Sequence, residues 1–172
     1  GTGILIKNAL EKGCNEIILG VGGSATTDGG AGIFEDLGGL LIDKNGNHLE
    51  KGGVSLKKLY KIIPPKISRK ITWKVACDVT NPILGKNGAV NVYSPQKGAS
   101  EEDIVILNES LTNFVKIIEK NFKRKISSLV GGGAAGGTAA GLHGFFGATL
   151  YSGFFILSDL IGLEKEIKDF DL

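Results

Sequence analysis

The residues best suited to chemistry lie in one stretch, Gly20-Val21-Gly22-Gly23-Ser24-Ala25-Thr26-Thr27-Asp28-Gly29-Gly30-Ala31-Gly32, directly after three apolar residues, Ile17-Ile18-Leu19. Glycine has no Cβ, so its backbone comes close to a ligand and takes positive φ at little cost. Successive N–H groups in such a loop form an anion cradle, and the start of a following helix adds partial positive charge. Gly22, Gly23, Ser24 and Thr26 thereby supply N–H and hydroxyl donors for a phosphate or a small carboxylate. Asp28 is the loop's one carboxylate. It can ligate Mg²⁺, contact a substrate hydroxyl, or cap a helix beginning at Ala31. A tight strand-to-helix turn packed with small residues is the plainer account of the same glycines.

A second carboxylate, Asp78, ends the alternating run Ile71-Thr72-Trp73-Lys74-Val75-Ala76-Cys77. At a strand end it is placed to take the proton of a substrate hydroxyl. It can equally cap its own loop through Thr80 or Asn81. Lys97, in the turn Ser94-Pro95-Gln96-Lys97-Gly98, is a candidate counter-charge for carboxylate or phosphate, or a solvated surface lysine. A second glycine loop, Gly131-Gly132-Gly133-Ala134-Ala135-Gly136-Gly137, is a second phosphate candidate through Gly133, Gly136 and Gly137. His48 and His143 carry no functional signal.

These residues need elements to hold them. Apolar spacing from Ile4 to Lys12 predicts a helix that stops at Gly13. Glu16 to Val21 reads as a buried strand of the parallel-sheet kind. A short helix is expected from Ala31 to Leu37, a strand at Leu40–Ile42, and a turn at Asp43–Asn47 carrying the Asn-Gly signal. Residues 71–77 form a strand, and Thr80 to Ala99 is loop-rich. Ser100 caps a helix with Glu101, Glu102 and Asp103 in its first turn. Its apolar face is Ile104, Leu107, Leu111, Val115, Ile118 and Phe122. A short strand at Ile126–Val130 and a last helix from Ile156 to Ile167 complete the reading. Small residues at Gly137, Gly141, Gly144 and Ala148 allow close packing on a sheet or a ligand. Strands alternating with helices give an α/β fold with a mainly parallel sheet and flanking helices. In such sheets ligands gather beyond the C-terminal ends of strands. Both glycine loops and Asp78 fall there.

Composition narrows the classes. The chain has 172 residues, 42% hydrophobic and 22% charged, which is ordinary for a globular domain. Its 27 glycines are about twice the usual share, clustered without a period. A net charge of +2 gives no case for a nucleic-acid partner. Residues 51–77 lack acids and carry Lys57, Lys58, Lys61, Lys66, Arg69, Lys70 and Lys74, which reads as a solvated face. No apolar run is long enough for a membrane span, and no signal peptide is read at the start. Cys14 and Cys77 are expected as buried, reduced residues in a cytoplasmic setting. The absence of Met and the closing Asp169-Phe170-Asp171-Leu172 read as a central segment of a longer protein.

Two nucleotide motifs can be tested. A P-loop needs Gly-x4-Gly-Lys-Ser/Thr, and no such string occurs. Gly20-Val21-Gly22-Gly23-Ser24-Ala25 fits the dinucleotide pattern, with Asp43 as the ribose ligand. That pattern wants a helix starting near Gly22, where Gly29, Gly30 and Gly32 would each cost about 1 kcal/mol relative to Ala. A dinucleotide-dependent oxidoreductase therefore stands as an alternative, and a non-catalytic anion-binding fragment as another.

Four motifs occur together: the glycine loop Gly22 to Gly32, Val75-Ala76-Cys77-Asp78-Val79-Thr80-Asn81-Pro82, Ser94-Pro95-Gln96-Lys97-Gly98-Ala99, and Gly133-Ala134-Ala135-Gly136-Gly137. In this order, across nearly the whole chain, they resemble the bacterial type 1 glycerate kinase family. The resemblance implies transfer of the γ-phosphoryl group of ATP to D-glycerate with Mg²⁺, giving a phosphoglycerate. It implies a two-lobe α/β enzyme, one lobe flavodoxin-like, to which residues 1–172 contribute a central segment. It leaves open a homodimer and the boundary between the lobes. Under it Asp78 and Asp28 are the catalytic carboxylates, with Asp28 toward Mg²⁺. Gly22, Gly23, Ser24, Thr26, Asn81, Lys97, Gly133, Gly136 and Gly137 hold substrate and phosphate. The segment alone is expected to be inactive. Thr27, Gly132 and Tyr93-Ser94 depart from the family's usual residues.

Overall fold

A computed structural model describes residues 1–169. Helix α1 (Thr2–Glu11) leads into strand β1 (Glu16–Gly20). The glycine loop follows, then α2 (Ala31–Asp36), β2 (Leu40–Ile42), a 3₁₀ turn at Gly53–Lys58, β3 (Lys61–Ile63) and β4 (Thr72–Ala76). Next come α3 (Ala89–Tyr93), a 3₁₀ turn at Pro95–Lys97, and the long α4 (Glu101–Phe122). The chain continues through α5 (Thr138–Phe146), β5 (Thr149–Tyr151), α6 (Gly153–Ile161) and α7 (Leu163–Glu166). The fold is α/β, with a parallel sheet ordered β1-β4-β5 and a separate antiparallel pair, β2-β3.

The longest helix begins where its side chains dictate. Ser100 Oγ accepts from the Asp103 N–H at 3.1 Å, and Asp103 Oδ2 accepts from the Ser100 N–H at 2.9 Å. This reciprocal cap satisfies two N–H groups a helix start leaves open and contributes roughly 1 kcal/mol. The apolar stripe of α4 then buries Leu107, Leu111, Phe114 and Ile118 against Phe34, Leu41 and Leu56. A second core, around the parallel sheet, holds Ile6, Ile17, Trp73, Val75 and Leu142. The aromatic pair after Gly144 joins the two. Phe145 stacks on Phe34 at 4.0 Å between ring centres, and Phe146 stacks on Trp73 at 4.6 Å.

Several expectations need correction. β1 is parallel but lies at the sheet's edge, and Ile18 is half-exposed rather than buried. Residues 126–130 form turns, not a strand. The Glu119 carboxylate takes the N–H groups of Ile126 and Ser127 at 2.8 Å each, removing them from any ladder. β3 and β5 escaped the sequence reading altogether. The final helix is broken at Gly162, whose φ of 68° ends α6. Cys14 is exposed at the corner between α1 and β1, and Cys77 is half-buried. The run Asp169-Phe170-Asp171-Leu172 falls largely outside the described residues. Among the described residues, no helix is long and apolar enough to cross a membrane.

Candidate functional site

The parallel register sets the site. Gly20 lies opposite Ala76, and the Val21 N–H donates to the Ala76 carbonyl at 3.3 Å. The glycine loop and Asp78 therefore leave the same, C-terminal edge of the sheet. A cavity of about 660 Å³ opens there, walled by Gly22, Gly23, Ser24, Thr26 and Asp28 on one side and by Ala135 of the second loop on another.

The loop's front is a row of free donors. Among the described residues, the N–H groups from Gly22 to Asp28 donate to no protein acceptor, nor do those of Ala135 and Gly136. A Cβ built on Gly22 or Gly23 would meet nothing within 4 Å, so both peptides are open to a ligand. Ala135 takes φ of 51°, a left-handed conformation uncommon for a residue with a side chain.

The loop's rear is closed by other glycines. A Cβ on Gly136 would strike the Thr26 carbonyl, one on Gly53 the Thr27 carbonyl, and one on Gly141 the Gly29 carbonyl. The Gly29 N–H donates to the Gly136 carbonyl at 3.0 Å. Gly133 sits against the carbonyls of Asn81 and Pro82, and its N–H donates to Asn81 O at 2.8 Å. Gly137 packs on Ile83 and Gly29. Packing thus accounts for Gly133, Gly136 and Gly137, and none of the three lines the cavity. They bring the two loops and the 78–82 segment together. Gly53 brings the 3₁₀ turn, and Gly141 brings α5, against the first loop. Gly141 was expected only as part of a close-packing stripe and Gly53 was not singled out, because what they touch is remote along the chain.

The charged groups divide into two sets. Asp28 Oδ1 accepts from the Gly30 N–H at 3.0 Å and Oδ2 from the Gly32 N–H at 3.2 Å. The carboxylate both faces the cavity and fixes the start of α2. Lys97 reaches the loop from its 3₁₀ turn, donating to Ser24 Oγ at 3.0 Å and to Thr26 O at 2.5 Å. Burial lowers its pKa, an effect opposed by the nearby Asp28 charge. Beside it, the hydroxyls of buried Ser94 and Thr27 lie 3.1 Å apart. Glu35 also lines the cavity, and burial raises its pKa against the attraction of Lys51.

Asp78 stands one strand over, toward β5. Its Oδ1 accepts from the Gly153 N–H at 2.8 Å, so it tethers the start of α6 rather than Thr80 or Asn81. It is exposed and shares the sheet edge with the loop but is not on the cavity wall. Asn81 is knitted into the structure: its amide donates to Asn87 O at 2.9 Å, and its Oδ1 accepts from Tyr93 Oη at 2.7 Å. His143 Nδ1 lies 2.8 Å from Ala148 O, a packing role. The dinucleotide geometry is not formed. α2 starts at Ala31 rather than near Gly22, and Asp43 lies beyond β2 of the antiparallel pair, where it takes the Asn45 and Asn47 N–H groups at 2.8 Å each.

The model of the glycerate kinase family matches residues 1–172. Glycerate 2-kinase of Escherichia coli is 46% identical over 98% of this chain and 45% of its own length. A glycerate kinase of Halalkalibacterium halodurans is 43% identical over 99% of this chain and 46% of its own. A crystal structure from Salmonella typhimurium LT2 superposes with a TM-score of 0.91 at 44% identity, over 98% of this chain and 46% of that one. The chain spans about half the length of the relatives it matches. With the four motifs in order and the family model matched end to end, this chain belongs to the glycerate kinase family.

Proposed function

We propose that this chain forms the anion-binding part of a kinase that transfers the γ-phosphoryl group of ATP to D-glycerate. The observation that carries the reading is the row of unengaged N–H groups from Gly22 to Asp28 along an open cavity wall. Phosphoryl transfer is chiefly positioning and charge stabilisation, and preorganised N–H groups supply both. In this reading the Gly22–Thr26 backbone and the Ser24 and Thr26 hydroxyls cradle phosphate or the glycerate carboxylate. Lys97, which is not on the cavity wall, holds the loop through Ser24 and Thr26 and adds positive charge behind it.

Mg²⁺ commonly takes one or two carboxylates plus phosphate oxygens and water. Among the described residues no group of three or more potential metal ligands occurs. Asp28 fits such a sparse donor set, since each oxygen accepts one N–H and keeps further lone pairs. Bound there, the ion would neutralise charge on the phosphate oxygens. Asp78 is the proton acceptor for the substrate hydroxyl, through the oxygen that Gly153 leaves free. Its neighbour Asn81 holds the 78–82 segment against the second loop. The full protein has two α/β lobes, of which residues 1–172 are the central segment, and this segment alone is inactive. It acts in the cytoplasm.

The test is a chimaera in which this chain replaces the matched stretch of the Escherichia coli glycerate 2-kinase. ATP-dependent phosphorylation of D-glycerate is the expected result. A folded chimaera that binds neither ATP nor glycerate would overturn the reading.

A further inference from the structure

The lysines of residues 51–77 do not all face solvent singly. Lys57 and Lys58, at the end of the 3₁₀ turn, border a concavity of about 710 Å³ that also takes in Lys44, Lys116 and Lys120. Its floor is apolar, with Leu59, Ile117 and the ring of Tyr60, which is 58% exposed. The chain carries 20 basic against 18 acidic residues, yet five of the basic ones line this concavity with a single acid, Asp43. Asp43 is already committed to the Asn45 and Asn47 N–H groups of its own turn.

Three separate segments bring these lysines to one concavity: the turn after β2, the residues before β3, and one face of α4. Among the described residues only Lys57 of the five has a carboxylate within ion-pair range, Glu109 at 2.5 Å. Lys116 and Lys120 are one helical turn apart, a like-charge spacing that disfavours a helix unless something offsets it. Asn113, on the same face, is spent on the carbonyls of Leu56 and Leu59, which fixes the 3₁₀ turn against α4. The 3₁₀ turn is thereby held against α4, and the five lysines line a space of ligand size.

We propose that this concavity is a second anion site, separate from the glycine-loop cavity. Its ligand is a small organic anion with two or more phosphate or carboxylate groups and a flat apolar part. The anionic groups sit among Lys44, Lys58, Lys116 and Lys120, and the apolar part lies on Tyr60. The site does not depend on the reading of the glycine loop, since the two share no lining residue.

The experiment is a backbone amide NMR titration of this chain with inorganic triphosphate, and in parallel with ATP. Expected are saturable shifts at residues 57–60 and 113–120 that follow a separate curve from those at residues 22–28. ATP, with its ring, binds the lysine site tighter than triphosphate alone. Lys116→Gln with Lys120→Gln weakens this curve roughly tenfold, by losing charge-assisted contacts. The charge-matched pair Lys66→Gln with Lys70→Gln leaves it unchanged. Added salt weakens it through screening. The proposal fails if those residues show no saturable shift, or if both double variants weaken binding equally. The second outcome would mean a diffuse charge effect only.

Discussion

Lys97 Nζ bridges Ser24 Oγ and the Thr26 carbonyl, at 3.0 and 2.5 Å, joining the loop after β1 to a turn more than seventy residues later. A charged donor on two loop atoms holds the loop's other face, with its free N–H groups, toward the cavity. Charge-assisted hydrogen bonds are about twice as strong as neutral ones, so the bridge is the main polar tie on this side.

Phosphate affinity should therefore depend on Lys97 and on pH. Burial lowers the Lys97 pKa, with Asp28 acting against it. The ammonium is the form that attracts an anion. Affinity then falls as pH rises through the lowered value, earlier than an ordinary lysine would allow. A phosphate titration across alkaline pH reads this. Lys97→Met should weaken binding at neutral pH about tenfold or more and flatten the profile. A wild-type profile already flat to the ordinary lysine range would contradict it.

The glycines should separate into two kinds on substitution. Gly136→Ala meets the Thr26 carbonyl at a φ of 64°, and Gly53→Ala meets the Thr27 carbonyl. Overpacking against backbone, with left-handed strain at Gly136, should cost about 2–4 kcal/mol in urea unfolding. Gly22→Ala meets nothing within 4 Å and carries no positive φ. Its stability should stay within about 0.5 kcal/mol of wild type, while phosphate affinity drops. Equal destabilisation by Gly22→Ala and Gly136→Ala would refute the division of the loop into an open front and a packed rear.

Much of this was legible in the sequence. The loop after β1, the capped start of α4 and the strand ending before Asp78 each rest on local signals: glycine density, a Ser-x-x-Asp box, and apolar alternation. The rest depends on partners far away in the chain. Gly133 to Gly137 looked like a second phosphate loop because glycine permits both ligand approach and backbone contact, and only the apposed Thr26–Gly29 segment shows which is used. The segment Ile126–Val130 carries Ile, Leu and Val, which suits a strand, but Glu119 captures its first two N–H groups. β3 and β5 are three residues each, too short for a periodic signal. Asp78 was placed on the correct edge, but its tie to Gly153 involves a residue seventy-five positions on.

That capture by Glu119 has a pH signature. Burial raises its pKa, but the N–H groups of Ser127 and Ile126 outweigh it and hold the carboxyl below its ordinary value. A lowered folded-state pKa stabilises above the unfolded value and is lost as pH falls through the folded one. Glu119→Ala should cost about 1–3 kcal/mol at neutral pH, by leaving two N–H groups unpaired. The gap between wild type and variant should shrink as pH drops through the lowered carboxyl value. A gap constant with pH in denaturant melts would remove the charged bond from the account.

Helix α6 exposes Phe154, Phe155, Leu157, Leu160 and Ile161, each more than half accessible, beside the edge strand β5. So large an apolar face on a short helix favours association. The 172-residue chain should show concentration-dependent self-association by sedimentation, which Leu157→Ser with Leu160→Ser reduces. An unchanged oligomer in that variant would place the contact elsewhere.

Asp78 carries two roles that one substitution can part. Its Oδ1 holds the Gly153 N–H, and Asp78→Asn keeps an amide oxygen able to accept that bond. Stability should change by less than about 1 kcal/mol. The amide cannot take up a proton from a substrate hydroxyl, so turnover in the chimaera should fall about 10²–10⁴-fold. KM for glycerate should change much less, because an acceptor acting on the hydroxyl proton matters most in the transition state. Asp78→Ala would lose both functions and unfold more easily. Near-normal turnover in Asp78→Asn, with wild-type stability, would leave the residue as the tether of α6 alone.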